Sequence, residues 1–319
     1  MSRLAGAALQ ATLTALLAVV LPPYYVYKLT TYLLNAVFPE DVAGKVVLIT
    51  GASSGIGEVC AHLAYEYAKR RAYLALVARR EMSLRDVGDR ALALGSPGVL
   101  VLPADVSKPE QCDKFIDDTI RYFGRYVFAV DHLVNNASIW QVCKFDEVED
   151  VNNFRTLMAS KAAALNFYDT LRMELGGDIR ITEVVPGVVE SEITKGKILS
   201  KEGEMKVDQD QRDTSLLMLA AQAILGPTPA ERVGDFARTV VRDVCRGARY
   251  VFEPRWYMGV YLLRVCLPEV LSWSSRLLTV DGAGGVSSTD TLGKWLVELP
   301  GVRRATQPPS LRSTEIKDQ

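Results

Sequence analysis

Histidine is nearly absent from this 319-residue chain, with two in all, and its five cysteines (Cys60, Cys112, Cys143, Cys245 and Cys266) form no C-x-x-C pair. So few ligands cannot assemble a His-rich or Cys-rich metal centre, and an odd set of scattered thiols is not a disulfide framework. A reducing compartment and no metal are the default expectation. Excess charge is missing too: Lys and Arg number 37 against 38 for Asp and Glu. Without a basic field, nucleic acid is excluded as a partner. What is present is apolar, 49% hydrophobic against 24% charged residues, with a mean hydropathy of +0.09. That excludes a disordered chain and suggests that some of the apolar content is concentrated locally. One α/β domain with appendages accounts for the length.

Between Leu4 and Phe38 the only charged residue is Lys28. Leu4 to Leu21 is a predominantly apolar run, about 27 Å long as a helix, just the length needed to cross a bilayer. Pro22 and Pro23 are expected to break it. A second apolar piece rich in tyrosine (Tyr24, Tyr25, Tyr27, Tyr32) then runs to Pro39. Three readings fit: a cleaved signal peptide, a spanning anchor, and a bent hairpin lying in an interface or a lipid-droplet monolayer. The signal peptide fits least, because Arg3 alone forms an n-region and no A-x-A type site follows the run. The proline break favours the hairpin. Arg3 and Lys28 are too few to orient the segment. The expected organisation is a hydrophobic membrane or lipid-droplet anchor over 1–44, a folded domain over 45–301 and a polar, disordered tail over 302–319.

Lys45-Val-Val-Leu-Ile-Thr50 reads as a buried strand that leads into Gly51-Ala-Ser53-Ser54-Gly55-Ile56-Gly57 and a helical stretch ending near Arg71. Strand, glycine loop and helix is the setting of a dinucleotide site. Gly51 permits the tight turn, Gly55 lets backbone approach a pyrophosphate and Gly57 allows close helix packing, while the helix N-terminus offers free N–H groups. The next strand, Ala72 to Ala78, ends in Arg79-Arg80. A site for NAD would place a carboxylate there, about 20 positions past the glycines. A guanidinium suits a 2′-phosphate instead, so NADP is favoured over NAD. Val99 to Leu102 leads to Asp105-Val106, where a carboxylate could accept from the adenine amine, and Val130 to Val134 ends in Asn135-Asn136-Ala137. Asn136-Ala137-Ser138 also spells a glycosylation sequon, but a strand end beside a cofactor is a poor acceptor, and it is set aside.

Thr50-Gly51-x-x-x-Gly55-x-Gly57, Asp105-Val106, Asn135-Asn136-Ala137, Ser160-Lys161 and Pro186-Gly187 together resemble the short-chain dehydrogenase/reductases. With its apolar N-terminus, the chain is similar over roughly residues 1 to 315 to the plant 11β-hydroxysteroid dehydrogenase-like proteins of oil bodies, the steroleosins. The resemblance implies a Rossmann-type doubly wound parallel α/β sheet, an NADP(H) cofactor, and hydroxyl/ketone interconversion on a steroid or sterol-like molecule. It further implies a lipid-droplet (oil body) or ER membrane surface as partner, with the catalytic domain facing the cytosol, and it admits a homodimer. Its cofactor contacts fall on Gly51, Ser53, Ser54, Gly55, Ile56, Gly57, Arg79, Arg80, Asp105, Val106, Asn135, Asn136, Ala137, Lys161, Pro186, Gly187 and Ser191.

The implied mechanism needs a Tyr as acid/base with a Lys one helical turn later, a Ser on the preceding strand and an Asn on the helix before that. Lys161 matches the Lys, but Leu157 stands where the Tyr should be. Lys161 also follows Asn136 by only 25 positions, too few for the helix, strand and second helix start expected there, since a βαβ unit takes ~30 residues or more. The expectation is therefore a sheet lacking one central strand and helix, with Lys161 as the catalytic remnant. Negligible turnover follows, and the alternative is a non-catalytic lipid-droplet coat or NADP-sensing protein. Tyr24 with Lys28 and Tyr65 with Lys69 share the Y-x-x-x-K spacing by accident, and Asp150-Val151-Asn152 lacks the residues that should follow an Asn motif. Tyr168 belongs to the Leu165, Leu171, Leu175 stripe and is expected in the core.

Further on, Ile179 to Val185 reads as a strand able to pair beside the Val130 strand in the vacated place. Ser191 and Thr194 resemble family positions near the nicotinamide amide, and Lys195 to Asp213 reads as a charged lid. Arg232 to Cys245 is an amphipathic helix, Tyr250 to Pro254 the last strand, and Trp256 to Leu278 a membrane-facing or substrate-capping helix pair.

Overall fold

In a computed structural model, residues 2–52, 56–124, 130–137, 166–174, 179–189, 197–199, 205–207, 231–270 and 273 are described. The β-branched apolar runs become β1 (Val46–Thr50), β2 (Tyr73–Ala78), β3 (Val99–Pro103) and β4 (His132–Asn135). They form a parallel sheet in the order β3-β2-β1-β4, with Thr50 level with Val77 on one side and Asn135 on the other. The helices are α1 (Ser2–Val37), α2 (Ile56–Lys69), α3 (Glu81–Ala93), α4 (Pro109–Phe123) and α5 (Val233–Cys245). On one face α2, α3 and α5 pack over Val47, Ile49, Leu74 and Leu76, and on the other α4 brings Phe115 against Leu48, Ala75 and Val77. The α5 stripe Val233, Phe236, Ala237, Val240 and Val241 is buried at helical spacing. Each such aliphatic or aromatic side chain contributes about 1.5–3 kcal/mol by leaving water. Proline opens α4 and Gly124, at φ +63°, closes it in a left-handed cap.

The expected place of the strand after β4 is corrected. β5 (Glu183–Pro186) pairs in parallel with β8 (Tyr250–Glu253), not with β4. That pairing is locked at both ends, where Thr182 Oγ1 donates to the Ala248 carbonyl at 2.6 Å and the Gly187 N–H to the Glu253 carbonyl at 2.9 Å. Among the described residues, β4 has β1 as its only strand partner. It is covered accordingly: β1 is buried throughout, whereas Leu133 on β4 is 61% exposed, unlike an interior strand of a sheet covered on both faces. The helical residues 166–174 link the two sheets. Tyr168 Oη accepts from Asn135 Nδ2 of β4 at 2.7 Å, and Arg172 Nη2 donates to the Ile181 carbonyl at 3.1 Å and to Glu183 Oε1 at 2.8 Å. Of the charged lid segment, Lys197–Leu199 and Met205–Val207 form an antiparallel ribbon, β6 and β7.

The proline break is also corrected: α1 is one continuous helix through Pro22 and Pro23. The two prolines remove two N–H donors and crowd the carbonyls one turn back, but the turns on either side keep their bonds and the helix carries on through them. Gln10–Val37 is long and apolar enough to cross a membrane by length and composition. Its end is tied to the N-terminal edge of both sheets. The Glu40 N–H donates to the Cys245 carbonyl at 2.8 Å, and its carboxylate meets Lys45 before β1, His132 at the start of β4 (3.3 Å) and Arg180 before β5 (4.0 Å). Partial burial acts to raise the Glu40 carboxyl, but its interactions with Lys45 and His132 outweigh that and hold it below the usual carboxylate range. His132 Nδ1 also lies 3.1 Å from the buried Tyr67 hydroxyl. After β8, α6 (Tyr257–Cys266) turns Val260 inward and leaves Tyr261, Leu262 and Val265 exposed.

Candidate functional site

In a parallel sheet every strand ends at the same edge, so loops that follow strands converge there. Gly51, Arg79-Arg80, Asp105-Val106 and Asn135-Asn136-Ala137 follow β1, β2, β3 and β4 in turn, and the structure brings them to this one edge. Ile56 and Gly57 open α2 behind Gly51. Pro186 and Gly187 lie at the corresponding end of the β5–β8 pair. Ser53, Ser54, Gly55, Leu157, Lys161, Ser191 and Thr194 lie outside the described residues.

Two features fix the β1–β4 end. Gly51 has φ +79°, and a Cβ added there would stand 2.9 Å from Ala137 Cα and 3.1 Å from its nitrogen. Glycine is needed for both conformation and space. Beside it, the buried Thr50 hydroxyl accepts from the Asn136 and Ala137 N–H groups, at 3.3 Å each, and points its own proton at the Val134 carbonyl (3.4 Å) and Asn135 Oδ1 (3.3 Å). One side chain thus holds two groups of β4 and two of the loop that follows it.

At the β2 and β3 ends, Arg79 and Arg80 are exposed, and neither guanidinium has a hydrogen-bond partner among the described residues. Asp105 Oδ1 accepts from the Ser107 N–H (3.0 Å) and hydroxyl (2.8 Å). These two bonds, and then the nearby Arg79 charge, hold its carboxyl below the usual range. At the other sheet, the space a Gly187 side chain would take is filled by Pro254 Cδ at 2.9 Å and the Tyr257 ring at 3.3 Å, so packing alone requires this glycine.

Three features escape sequence reasoning. The Thr50 cluster depends on two strands meeting 84 to 87 positions apart. Tyr168, expected in the core, is half-buried with its hydroxyl on Asn135. Glu231, which bridges to Val189 beside the β5 end, faces Glu253 of β8. Burial first, and then the hydrogen bond and charge of Glu253, push the Glu231 carboxyl up to about 7. Two adjacent carboxyls in a partly dry place share one proton rather than both ionise. Only the Glu253 position, closing the last strand, carried any signal in advance.

Comparison with known proteins supplies the remaining observations. The short chain dehydrogenase family profile matches residues 45–159. 11-beta-hydroxysteroid dehydrogenase 1A of Arabidopsis thaliana is 41% identical over 341 aligned residues, which cover 93% of this chain and 93% of that protein. Among solved structures, a short-chain type dehydrogenase/reductase from Mycobacterium marinum superposes with a TM-score of 0.53 at 19% identity, covering 68% of this chain and 96% of the other. A short-chain dehydrogenase from Sphingobium yanoikuyae in complex with NADPH gives a TM-score of 0.50 at 19% identity, covering 76% and 99%. The alignment with the Arabidopsis protein is longer than the 319-residue chain itself. Some of its positions therefore face no residue here, and the family profile ends at residue 159.

Proposed function

We propose, from the premise that this chain belongs to the short-chain dehydrogenase family, that it is an NADP(H)-binding protein of the hydroxysteroid dehydrogenase type whose turnover is lost with the family's Tyr and Ser. The observation that carries the cofactor reading is the sheet edge itself: Gly51 at φ +79° beside two exposed guanidinia at the β2 end. No carboxylate stands where an NAD site would need one. The residues fit the cofactor. Gly51 to Gly57, including Ser53, Ser54, Gly55 and Ile56, with the first N–H groups of α2, would receive the pyrophosphate. Arg79 and Arg80 would pair with the 2′-phosphate, and Asp105 and Val106 would flank the adenine. Asn135, Asn136, Ala137 and Lys161 would hold the nicotinamide ribose, with Pro186, Gly187 and Ser191 on the far side of the ring. When bound, the nicotinamide supplies or accepts a hydride. Lys161 can orient the ribose through its ammonium, but Leu157 has no proton to give to a steroid oxygen.

The family match supports an oxidoreductase lineage, and the name of the Arabidopsis relative supports a steroid or sterol-like ligand. Loss of turnover is supported by Leu157 and by the aligned positions this chain lacks. Removing the acid/base and the carbonyl donor lowers the rate by about 10²–10⁴-fold each. The exposed apolar α1 supports an anchor in a lipid droplet or ER membrane, with 45–301 as a cytosol-facing domain and 302–319 as a tail.

Cofactor titration by NADPH fluorescence on the purified full chain tests the reading. NADPH is expected to bind tighter than NADH, and replacing Arg79 and Arg80 by Ala should weaken NADPH at least tenfold while leaving NADH unchanged. Absence of NADPH binding overturns the cofactor reading. Steroid turnover at the rate of the Arabidopsis relative overturns the loss of catalysis.

A further inference from the structure

We infer that Tyr168 is the polar contact of the substrate site, its hydroxyl donating the hydrogen bond that holds the oxygen of a ketone-bearing, sterol-like ligand. The inference rests on the hydroxysteroid-type reading above and adds to it a residue outside the family's catalytic motif.

Asn135 closes β4 at the sheet edge that carries Gly51 and the other strand-end loops, and its Nδ2 donates to Tyr168 Oη at 2.7 Å. Asn135 is itself fixed, because Thr50 Oγ1 stands 3.3 Å from its Oδ1. A phenol has one proton and acceptor lone pairs. Here a lone pair is used by Asn135, while the proton has no acceptor among the described residues. The ring is half-buried and stacked edge-on against Phe167 at 5.4 Å between centroids, so the hydroxyl is held rather than free to sweep. Leu133 lies two residues before Asn135, on the same side of β4, and is 61% exposed. An oriented donor beside an uncovered apolar side chain matches a ligand that is hydrocarbon with a single oxygen. The missing Ser and Tyr leave the site otherwise short of such a donor.

The test compares androstanone with androstane, which differ by one ketone oxygen, binding to the full chain saturated with NADP⁺. The wild type should favour the ketone by up to about tenfold, the net value of one hydrogen bond. Tyr168→Phe should bind both alike, at the affinity of androstane. A ketone preference that survives in Tyr168→Phe overturns the inference, as does a parallel fall in both steroid affinities, which marks a packing role. Isotope-edited infrared spectroscopy of carbonyl-labelled androstanone on the wild type gives a readout independent of the variant's folding. The stretch should move to lower frequency on binding, and an unshifted band overturns the inference. Failure of NADPH binding in the wild type falls instead on the cofactor reading.

Discussion

Replacing Gly51 by Ala separates conformational strain from steric contact at the sheet edge. The residue has φ +79°, and a non-glycine residue in the left-handed region costs about 1–2 kcal/mol. The added Cβ would also stand 2.9 Å from Ala137 Cα, a backbone atom that cannot rotate away. The loop after β4 must then shift by several tenths of an ångström. Its two bonds to Thr50 are already 3.3 Å long, so the shift weakens bonds worth about 0.5–1.5 kcal/mol each. Together these place the loss at about 2–4 kcal/mol. Gly124 supplies the control: its φ is +63°, and an added Cβ would meet nothing within 4 Å. Gly124→Ala should therefore lose only the conformational part, about 1 kcal/mol. Urea unfolding followed by circular dichroism measures both, and NADPH titration should weaken for Gly51→Ala alone. Equal destabilisation by the two substitutions would refute the steric argument.

Thr50→Val keeps the volume and deletes the acceptor of the Asn136 and Ala137 N–H groups, so it should cost about 1–3 kcal/mol, with Thr50→Ser close to wild type. Equal stability of the Val and Ser variants in urea would show that the hydroxyl is dispensable. The Glu231–Glu253 pair predicts a pH dependence of the opposite sense to a salt-bridged carboxylate. Glu231 titrates at about 7 in the folded protein and in the ordinary carboxylate range when unfolded. The folded state therefore binds more protons between those values, and stability falls as pH rises through that window and levels off above it. Glu231→Gln should remove this slope and gain roughly 1–2 kcal/mol at pH 8 after allowance for solvent screening. Parallel stability curves for wild type and variant from pH 5 to 8 would contradict it.

The sheet and its edge were readable because parallel strands are continuous apolar runs and each is followed at once by its site loop. Val46–Thr50 with Gly51, Tyr73–Ala78 with Arg79 and Val99–Pro103 with Asp105 needed only sequence order to be placed together. Contacts between segments far apart in the chain were not readable. Nothing local to Glu183–Pro186 says that it pairs with β8 and not β4. Likewise, nothing in the Leu165, Tyr168, Leu171 stripe says that the tyrosine is drawn out of the core to Asn135. The passage of α1 through Pro22 and Pro23 escaped for another reason: a proline signal reports two lost bonds, whereas the remaining turns of a 36-residue helix are retained.

The attachment of α1 has a consequence for supply. Glu40 gathers the starts of β1, β4 and β5 at one edge, and the Gly51, Arg79 and Asn135 positions mark the other. A five-residue strand separates the two by about 16 Å. On the proposed anchoring of α1 in a lipid layer, the strand-end edge would lie away from the point of attachment, and a sterol-like ligand would have to leave the lipid to reach it. Its rate of arrival then follows its rate of desorption from lipid, which is slow for the most apolar sterols and faster for hydroxylated ones. Attachment at the strand-start edge would then favour the ligands that leave lipid fastest, a preference set by where the helix joins the domain.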